Sequence, residues 1–309
     1  MDGLLLIKKP RGITSHDVVK RIRKILKVEK VGHVGTLDPV AEGLLPVCMG
    51  KATKLTPFLQ ELDKTYRGTM VFGVTTSTLD EEGEVVREVD ASCLTQKQVE
   101  EVFEKFKGKI LQTPPAYSAI HWQGRRLYQL ARSGVKVEPP PRQVEIYEFK
   151  LLNFNPGIHP EVHFELCCSK GTYIRSLCRD IGEILGYGAY QKYLCRIKVG
   201  PFRLSEAKDI KEVELIKERG QVEKILYPLS EALPHFPKVV VKKNVEKIIK
   251  WGRPLYLDHF LHLPDNLEKG DRVRVCSLDD RLLAIAKSCQ SRSHFVKDQI
   301  GFKYLRVLI

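Results

Sequence analysis

The sequence contains no apolar run near the roughly 20 residues that span a bilayer, and the Leu4 to Ile7 patch is far too short. It has no Cys-x-x-Cys pair, and its histidines do not fill the gap at ligand spacing, which removes the common zinc frameworks. Its start, Met1-Asp2-Gly3, opens on an acid and lacks the layout of a secretion signal, so a cytoplasmic location is expected. Thiols in that compartment stay reduced. Cys48, Cys93, Cys167, Cys168, Cys178, Cys195, Cys276 and Cys289 are therefore expected as small buried hydrophobes, not as disulfides or metal ligands. Internal repeats and low-complexity segments are also missing. Membrane, secreted and disordered classes are excluded.

What is present is length and base. A chain of 309 residues favours about two domains and can bury a core without staples. Lys and Arg number 51 against 38 Asp and Glu, a net charge of +13. Such a surplus is one footprint of a nucleic-acid binder, whose cations displace counterions from phosphates. It equally serves solubility, so the motifs have to decide.

Gly3 to Lys8 reads as a strand stopped by Pro10 and Gly12. Thr14-Ser15 then offers the cap of a basic helix from about Asp17 to Leu26. Val31 to Glu42 reads as irregular and Thr65 to Val74 as a strand. Thr95-x-x-Gln98 is a capping box before Val99, Val102, Phe103 and Phe106, with Gly108 as the stop. Gln143 to Phe154 and Glu161 to Ser169 alternate like paired strands, and Thr172 to Leu185 reads as a helix closed by Gly186. From Pro237 onward the pattern is that of a small β-rich unit. The expected class is α+β: a mixed or antiparallel central sheet with flanking helices, then a β-barrel-like tail.

Four segments carry candidate chemistry. In Gly32-His33-Val34-Gly35-Thr36-Leu37-Asp38-Pro39, a carboxylate sits on a glycine-flanked loop, placed as nucleophile or base, although Asp-Pro is also an ordinary turn. Lys64-Thr65-Tyr66-Arg67-Gly68 offers a ring for stacking and a cation for phosphate. In Ser169-Lys170-Gly171-Thr172-Tyr173-Ile174-Arg175, a helix start presents Tyr173 and Arg175; Arg175 either orients a catalytic carboxylate or pairs with Asp180 nearby. The run Pro114 to Tyr128 interleaves Tyr117, His121, Trp122 and Tyr128 with Arg125 and Arg126, a stacking-plus-phosphate pattern.

Taken in order, these segments resemble the TruB-type tRNA pseudouridine synthases. The matching stretches are Lys9-Pro10-Arg11-Gly12-Ile13-Thr14-Ser15-His16-Asp17-Val18-Val19, Gly32 to Val47, KTYRG, PPAYSAIHWQGRRLYQLAR, SKGTYIRSL, Tyr193-Leu194-Cys195-Arg196 and Val199-Gly200-Pro201-Phe202. The resemblance runs to about Leu229. It implies a catalytic pseudouridine synthase domain over 1–229, with an RNA-contacting insertion at 106–141, and a PUA-like RNA-binding domain over 230–309. The implied activity is isomerisation of uridine 55 in the T loop of tRNA, with no cofactor and no metal, by a chain expected to be a monomer.

The resemblance makes Asp38 the nucleophile, Tyr66 the ring that stacks on the base and a proton carrier, and Arg175 the partner of Asp38. It places Tyr173 beside the base, His33 in the opened T loop and Leu194 in apolar packing, with Lys9 and Arg67 as further substrate-binding cations. His121 departs from the lysine common in relatives. The other reading is a tRNA-binding or folding protein without catalysis on the same scaffold; it has no need of Asp38.

Overall fold

The computed structural model describes residues 1–118, 121–122, 124–127, 130, 133, 139–296 and 299–309. Strand β1 (Gly3–Lys9) ends at Pro10, and helix α1 (Ser15–Leu26) follows. The helix begins at Ser15, ahead of the expected Asp17, because Thr14 caps it reciprocally. The Thr14 hydroxyl accepts from the Asp17 N–H, and the Asp17 carboxylate accepts from the Thr14 N–H. The stretch expected to be irregular contains a short strand, β2 (Val31–His33), before chain reversal leads into β3 (Glu42–Met49).

Strand β4 (Lys64–Phe72) is followed by a small hairpin, Val74–Thr76 with Val85–Glu88. Helix α2 (Gln96–Lys105) carries the expected capping box at Thr95 and Gln98. Then come β5 (Gly108–Gln112), β6 (Arg142–Asn155), β7 (Glu161–Cys168), α3 (Ile174–Ile184), β8 (Ala189–Val199), β9 (Phe202–Arg203) and α4 (Ile210–Glu218). Of the expected 106–141 insertion, residues 119–120, 123, 128–129, 131–132 and 134–138 lie outside the described residues. Within it, His121–Trp122 pairs with Arg125–Arg126 as a short hairpin.

Among the described residues, the first nine strands form one mixed sheet in the order β1-β3-β8-β4-β7-β6-β5, with β2 on β3 and β9 on β8. Only β3 and β8 run parallel within it. Their crossing is tight. A Cβ on Gly43, at φ +105°, would lie 2.4 Å from the Arg196 carbonyl oxygen, so this position accepts no side chain.

One face of the sheet carries helices at both ends. Val18, Ile22 and Leu26 of α1 pack on Leu5, Ile7, Leu45 and Val47. At the far end, Val99 and Phe103 of α2 and Leu177 and Ile181 of α3 pack on Phe149, Phe164 and Leu166. Between these two packed regions the register sets a row on the same face: Lys9 beside Gly43, Gly43 beside Arg196, Arg196 beside Tyr66, Tyr66 beside Leu166.

A second, five-stranded sheet consists of β10 (Lys238–Val241), β11 (Phe260–His262), β12 (Arg272–Cys276), β13 (Leu282–Ser288) and β14 (Phe302–Val307), ordered β11-β10-β12-β13-β14. It has its own apolar cluster, including Val239, Val273, Leu283 and Phe302. A further cluster is shared: Leu55, Phe58 and Leu59 meet Phe236, Cys276, Leu282 and Ile285. Cys48, Cys168, Cys178, Cys195 and Cys276 are buried as expected, whereas Cys167 and Cys289 are half-buried and Cys93 is exposed. No helix among the described residues is long and apolar enough to cross a membrane.

Candidate active site

Asp38 lies on the loop between β2 and β3, and three buried side chains hold that loop by its backbone. Arg196 donates to the Gly35 carbonyl at 3.1 Å and to the Leu44 carbonyl at 2.8 Å. Ser15, the first residue of α1, accepts from the Leu37 N–H at 2.9 Å and donates to the Leu37 carbonyl at 3.0 Å. Lys9 donates to the carbonyls of Ala41 (2.6 Å), Pro10 (2.9 Å) and Pro39 (3.2 Å). Each contact satisfies a backbone group that burial would otherwise leave unpaired, a defect costing about 1–3 kcal/mol. The loop is thereby fixed before any ligand arrives, with the Asp38 carboxylate left 38% exposed.

The partner of that carboxylate comes from the opposite side of the face. Arg175, in the first turn of α3, places one guanidinium nitrogen 3.0 Å from Asp38 Oδ2 and the other 3.2 Å from Asp80 Oδ2. It also donates to the carbonyls of Thr78 and Tyr117, both at 3.1 Å. With its side chain 6% exposed, Arg175 is locked between two carboxylates and two carbonyls. Charge-assisted pairs of this kind orient both partners. Asp180, the other expected partner, pairs with Arg179 instead. On a helix, neighbours in space are three or four residues apart, not five.

Asp80 was not singled out in the sequence. It sits in the turn of the Val74–Thr76 hairpin, where its Oδ1 accepts from the Thr78 hydroxyl and the Glu82 N–H. The residue before it, Leu79, has φ +63°, an uncommon backbone for a bulky side chain. Nothing local distinguishes Asp80 from any turn aspartate. Arg196 was quoted only as part of a motif, and its burial under the Asp38 loop is likewise a tertiary fact.

The phenols complete the enclosure. Tyr66, on the central strand β4, is 8% exposed and shares an apolar cluster with Leu37, Ala41, Ile174 and Leu194. Burial pushes its hydroxyl above the usual tyrosine range, and the Arg196 guanidinium beside it opposes that rise. Tyr173 caps α3 and is held by its backbone: Gln112 accepts from its N–H at 2.8 Å and donates to its carbonyl at 3.0 Å. Burial raises the Tyr173 hydroxyl too, and the Asp38 charge acts on both phenols. His33, at the end of β2, is half-buried with Nδ1 lacking a hydrogen-bond partner among the described residues. Burial and the nearby Arg196 charge lower its pKa, which favours the neutral ring.

Two expected substrate contacts are placed differently. Lys9 is fully buried, and its ammonium is spent on loop carbonyls. Strand alternation sends Arg67 to the other face of the sheet from Tyr66, where it pairs with Glu165 at 2.8 Å. Asp38, Tyr66, Tyr173, Arg175, His33 and Leu194 are brought to one face; Lys9 lies beneath them and Arg67 behind.

The buried cations give the site its field. Lys9, Lys64 and Arg196 are all within the sheet face under the loop, and none has a carboxylate within ion-pair distance among the described residues. Burial lowers Lys9 to about 8 and Lys64 to about 8. The Asp38 and Glu42 charges act on Lys9 and oppose that fall. Among the described residues no group of three or more His, Cys, Asp or Glu is arranged to hold a metal ion.

A model of the TruB family pseudouridylate synthase N-terminal domain matches residues 23–174, and one of the tRNA pseudouridylate synthase B C-terminal domain matches residues 175–234. The tRNA pseudouridine synthase B of Pelotomaculum thermopropionicum is 41% identical over 313 residues, covering 100% of this chain and 97% of that protein. That of Clostridium tetani is 37% identical, with both chains covered in full (100%). Among solved structures, a chain of an H/ACA RNP bound to a substrate RNA containing 2'-deoxyuridine superposes with TM-score 0.78 at 28% identity, covering 99% of this chain and 85% of that one. A chain of a Cbf5-Nop10-Gar1 complex gives TM-score 0.78 at 29% identity, with 99% and 85% covered. From the Asp38 loop to the Arg175 helix and beyond, the chain belongs to the TruB family of pseudouridylate synthases.

Proposed function

We propose that this protein converts uridine 55 in the T loop of tRNA to pseudouridine, with Asp38 as the nucleophile. The observation that carries the reading is the Asp38–Arg175 ion pair at 3.0 Å, set on a backbone-locked loop, with the Asp38 charge acting on both Tyr66 and Tyr173. The rearrangement breaks C1′–N1 and forms C1′–C5. The C5 proton leaves and N1 takes one up, so neither oxidant nor cofactor is consumed. A carboxylate can begin it at C1′, at C6 or by removing a ribose proton. Each route needs one fixed carboxylate near the sugar and a wall that holds the freed base.

Tyr66 is assigned to stack on the uracil, and its hydroxyl, beside Arg196, to carry the proton released from C5. Stacking of this kind is worth about 1–3 kcal/mol per base. Tyr173 closes the other side of the base, Leu194 packs under it, and Arg175 aims Asp38. His33, whose Nδ1 has no hydrogen-bond partner among the described residues, is assigned to the space from which the base is drawn. Extruding the base costs a few kcal/mol, offset by contacts spread along the tRNA T arm. Residues 1–229 act as the catalytic domain and 106–141 contact the RNA, while 230–309 form a PUA-like RNA-binding domain. One chain supplies every group named, so a monomer suffices; a tRNA substrate places the enzyme in the cytoplasm.

Mapping pseudouridine in tRNA incubated with the protein tests the position. Asp38→Asn should abolish tritium release from 5-labelled uridine while tRNA affinity stays within about threefold of wild type. Near wild-type release by this variant would overturn Asp38 as the nucleophile, whereas no release by the wild-type protein would leave a tRNA-binding protein without catalysis as the better account.

A further inference from the structure

The outward face of α1 carries charge of one sign. Ser15, Val18, Val19, Ile22 and Leu26 form its buried side. Away from it, His16, Lys20, Arg23, Lys24 and the C-cap Lys27 recur at intervals of three and four residues, and all are exposed. That spacing sets them on one stripe about 17 Å long, with Arg21 beside it. Asp17 is committed to the Thr14 cap and lies 3.9 Å from Lys20. Among the described residues, Arg21, Arg23, Lys24 and Lys27 make no ion pair.

This arrangement works against the helix. Lys20–Lys24, Arg23–Lys27, Lys20–Arg23 and Lys24–Lys27 are like-charge neighbours, each unfavourable by about 0.2–0.5 kcal/mol. The helix dipole favours cations in the last turn, which accounts for Arg23, Lys24 and Lys27 but not for Lys20. Other surface helices of this chain mix their charges: Lys97 pairs with Glu101 on α2, and α4 alternates Lys211, Glu212, Glu214, Lys217 and Glu218. A single-sign stripe is thus a local feature, not the habit of the surface.

Its position gives the stripe a use. Ser15 holds the backbone of Leu37, next to Asp38, and Gly12 N–H donates to the Pro39 carbonyl at 2.9 Å. α1 therefore starts at the cleft and leads away from it on the sheet face that carries Tyr66. We infer that the α1 stripe is a second phosphate-binding surface, taking the sugar–phosphate backbone of RNA beyond the segment that enters the Asp38 cleft. This rests on the RNA-modifying reading above. A membrane surface does not fit, because the apolar side of α1 is committed to the core.

The test replaces Lys20, Arg23, Lys24 and Lys27 together by Gln and measures binding of full tRNA and of a hairpin limited to the T stem and loop. Full tRNA should bind about 10–100-fold more weakly near 0.15 M salt, with the slope of log affinity against log salt shallower by about 3. Hairpin affinity and the rate at saturating tRNA should stay at wild-type values, and Tm should not fall. The single reversal Lys24→Glu, less able to disturb folding, should shift tRNA binding in the same direction. Unchanged tRNA affinity and salt slope in both variants, or equal losses on both RNAs, would overturn the inference. Failure of the underlying reading shows elsewhere, as tRNA left unmodified by the wild-type protein.

Discussion

Asp80→Asn isolates the contribution of a residue that touches no part of the proposed cleft except through Arg175. The Asp80 carboxylate is 6% exposed and accepts from Arg175, the Thr78 hydroxyl and the Glu82 N–H. Asparagine keeps the shape but removes the charge, and its amide must turn two donors toward groups that are themselves donors. Breaking a buried pair by neutralising one partner costs about 3–5 kcal/mol. Here Arg175 keeps Asp38 and two carbonyls, so the loss should sit below that range, at about 2 kcal/mol of stability. The chemical step should lose more. A guanidinium freed on one side shifts the Asp38 carboxylate, and a displacement near 1 Å is worth about 100-fold in rate.

Single-turnover tritium release with enzyme in excess measures that step directly. Asp80→Asn should slow it about 100-fold while tRNA affinity changes by less than about threefold. Asp80→Asn combined with Arg175→Lys should be far less than multiplicative, since the two act as one unit. A rate within about twofold of wild type would show that Asp80 merely folds its hairpin and that Arg175 is positioned by Asp38 alone.

Two further outcomes are expected. Ser15→Ala leaves the Leu37 N–H and carbonyl without partners in a buried setting and should cost about 1–3 kcal/mol by urea unfolding, with turnover reduced and tRNA affinity kept; unchanged turnover would remove Ser15 from the support of the loop. Lys64 has a folded pKa near 8 against 10.5 when free, so between these values the unfolded chain holds a proton that the folded one has shed, and stability must rise with pH across that window. The contribution is at most about 3 kcal/mol and should vanish from the wild-type slope in Lys64→Met; identical slopes between pH 8 and 10 would contradict it.

Much of the fold was legible because it rests on local chemistry. Reciprocal capping at Thr14–Asp17 and Thr95–Gln98 marks where α1 and α2 begin, and both boxes form. Alternation in 143–154 and 161–169 marks β6 and β7, which pair as antiparallel neighbours. The short β2 was not legible: three residues beside a glycine-rich loop carry no periodicity, and the strand exists only because β3 offers an edge. At the site, Asp38, Tyr66, Tyr173 and Arg175 were legible through their ordered motifs. That Lys9 is buried against loop carbonyls and that Arg67 pairs with Glu165 on the far face were not legible, since a motif records residue type and not how deep or on which side of a sheet the side chain lies.

By itself, then, the order of residues determined the class of fold, the family and the acid at the centre, because caps, alternation and motif spacing act over a few residues. Only the three-dimensional packing decided that Arg175 is also held by Asp80, that Lys9 and Arg196 are anchors under the loop, and that Arg67 faces away. Those outcomes depend on strand register and on contacts between residues as far apart as 161 positions, where electrostatics and burial are set by the assembled sheet.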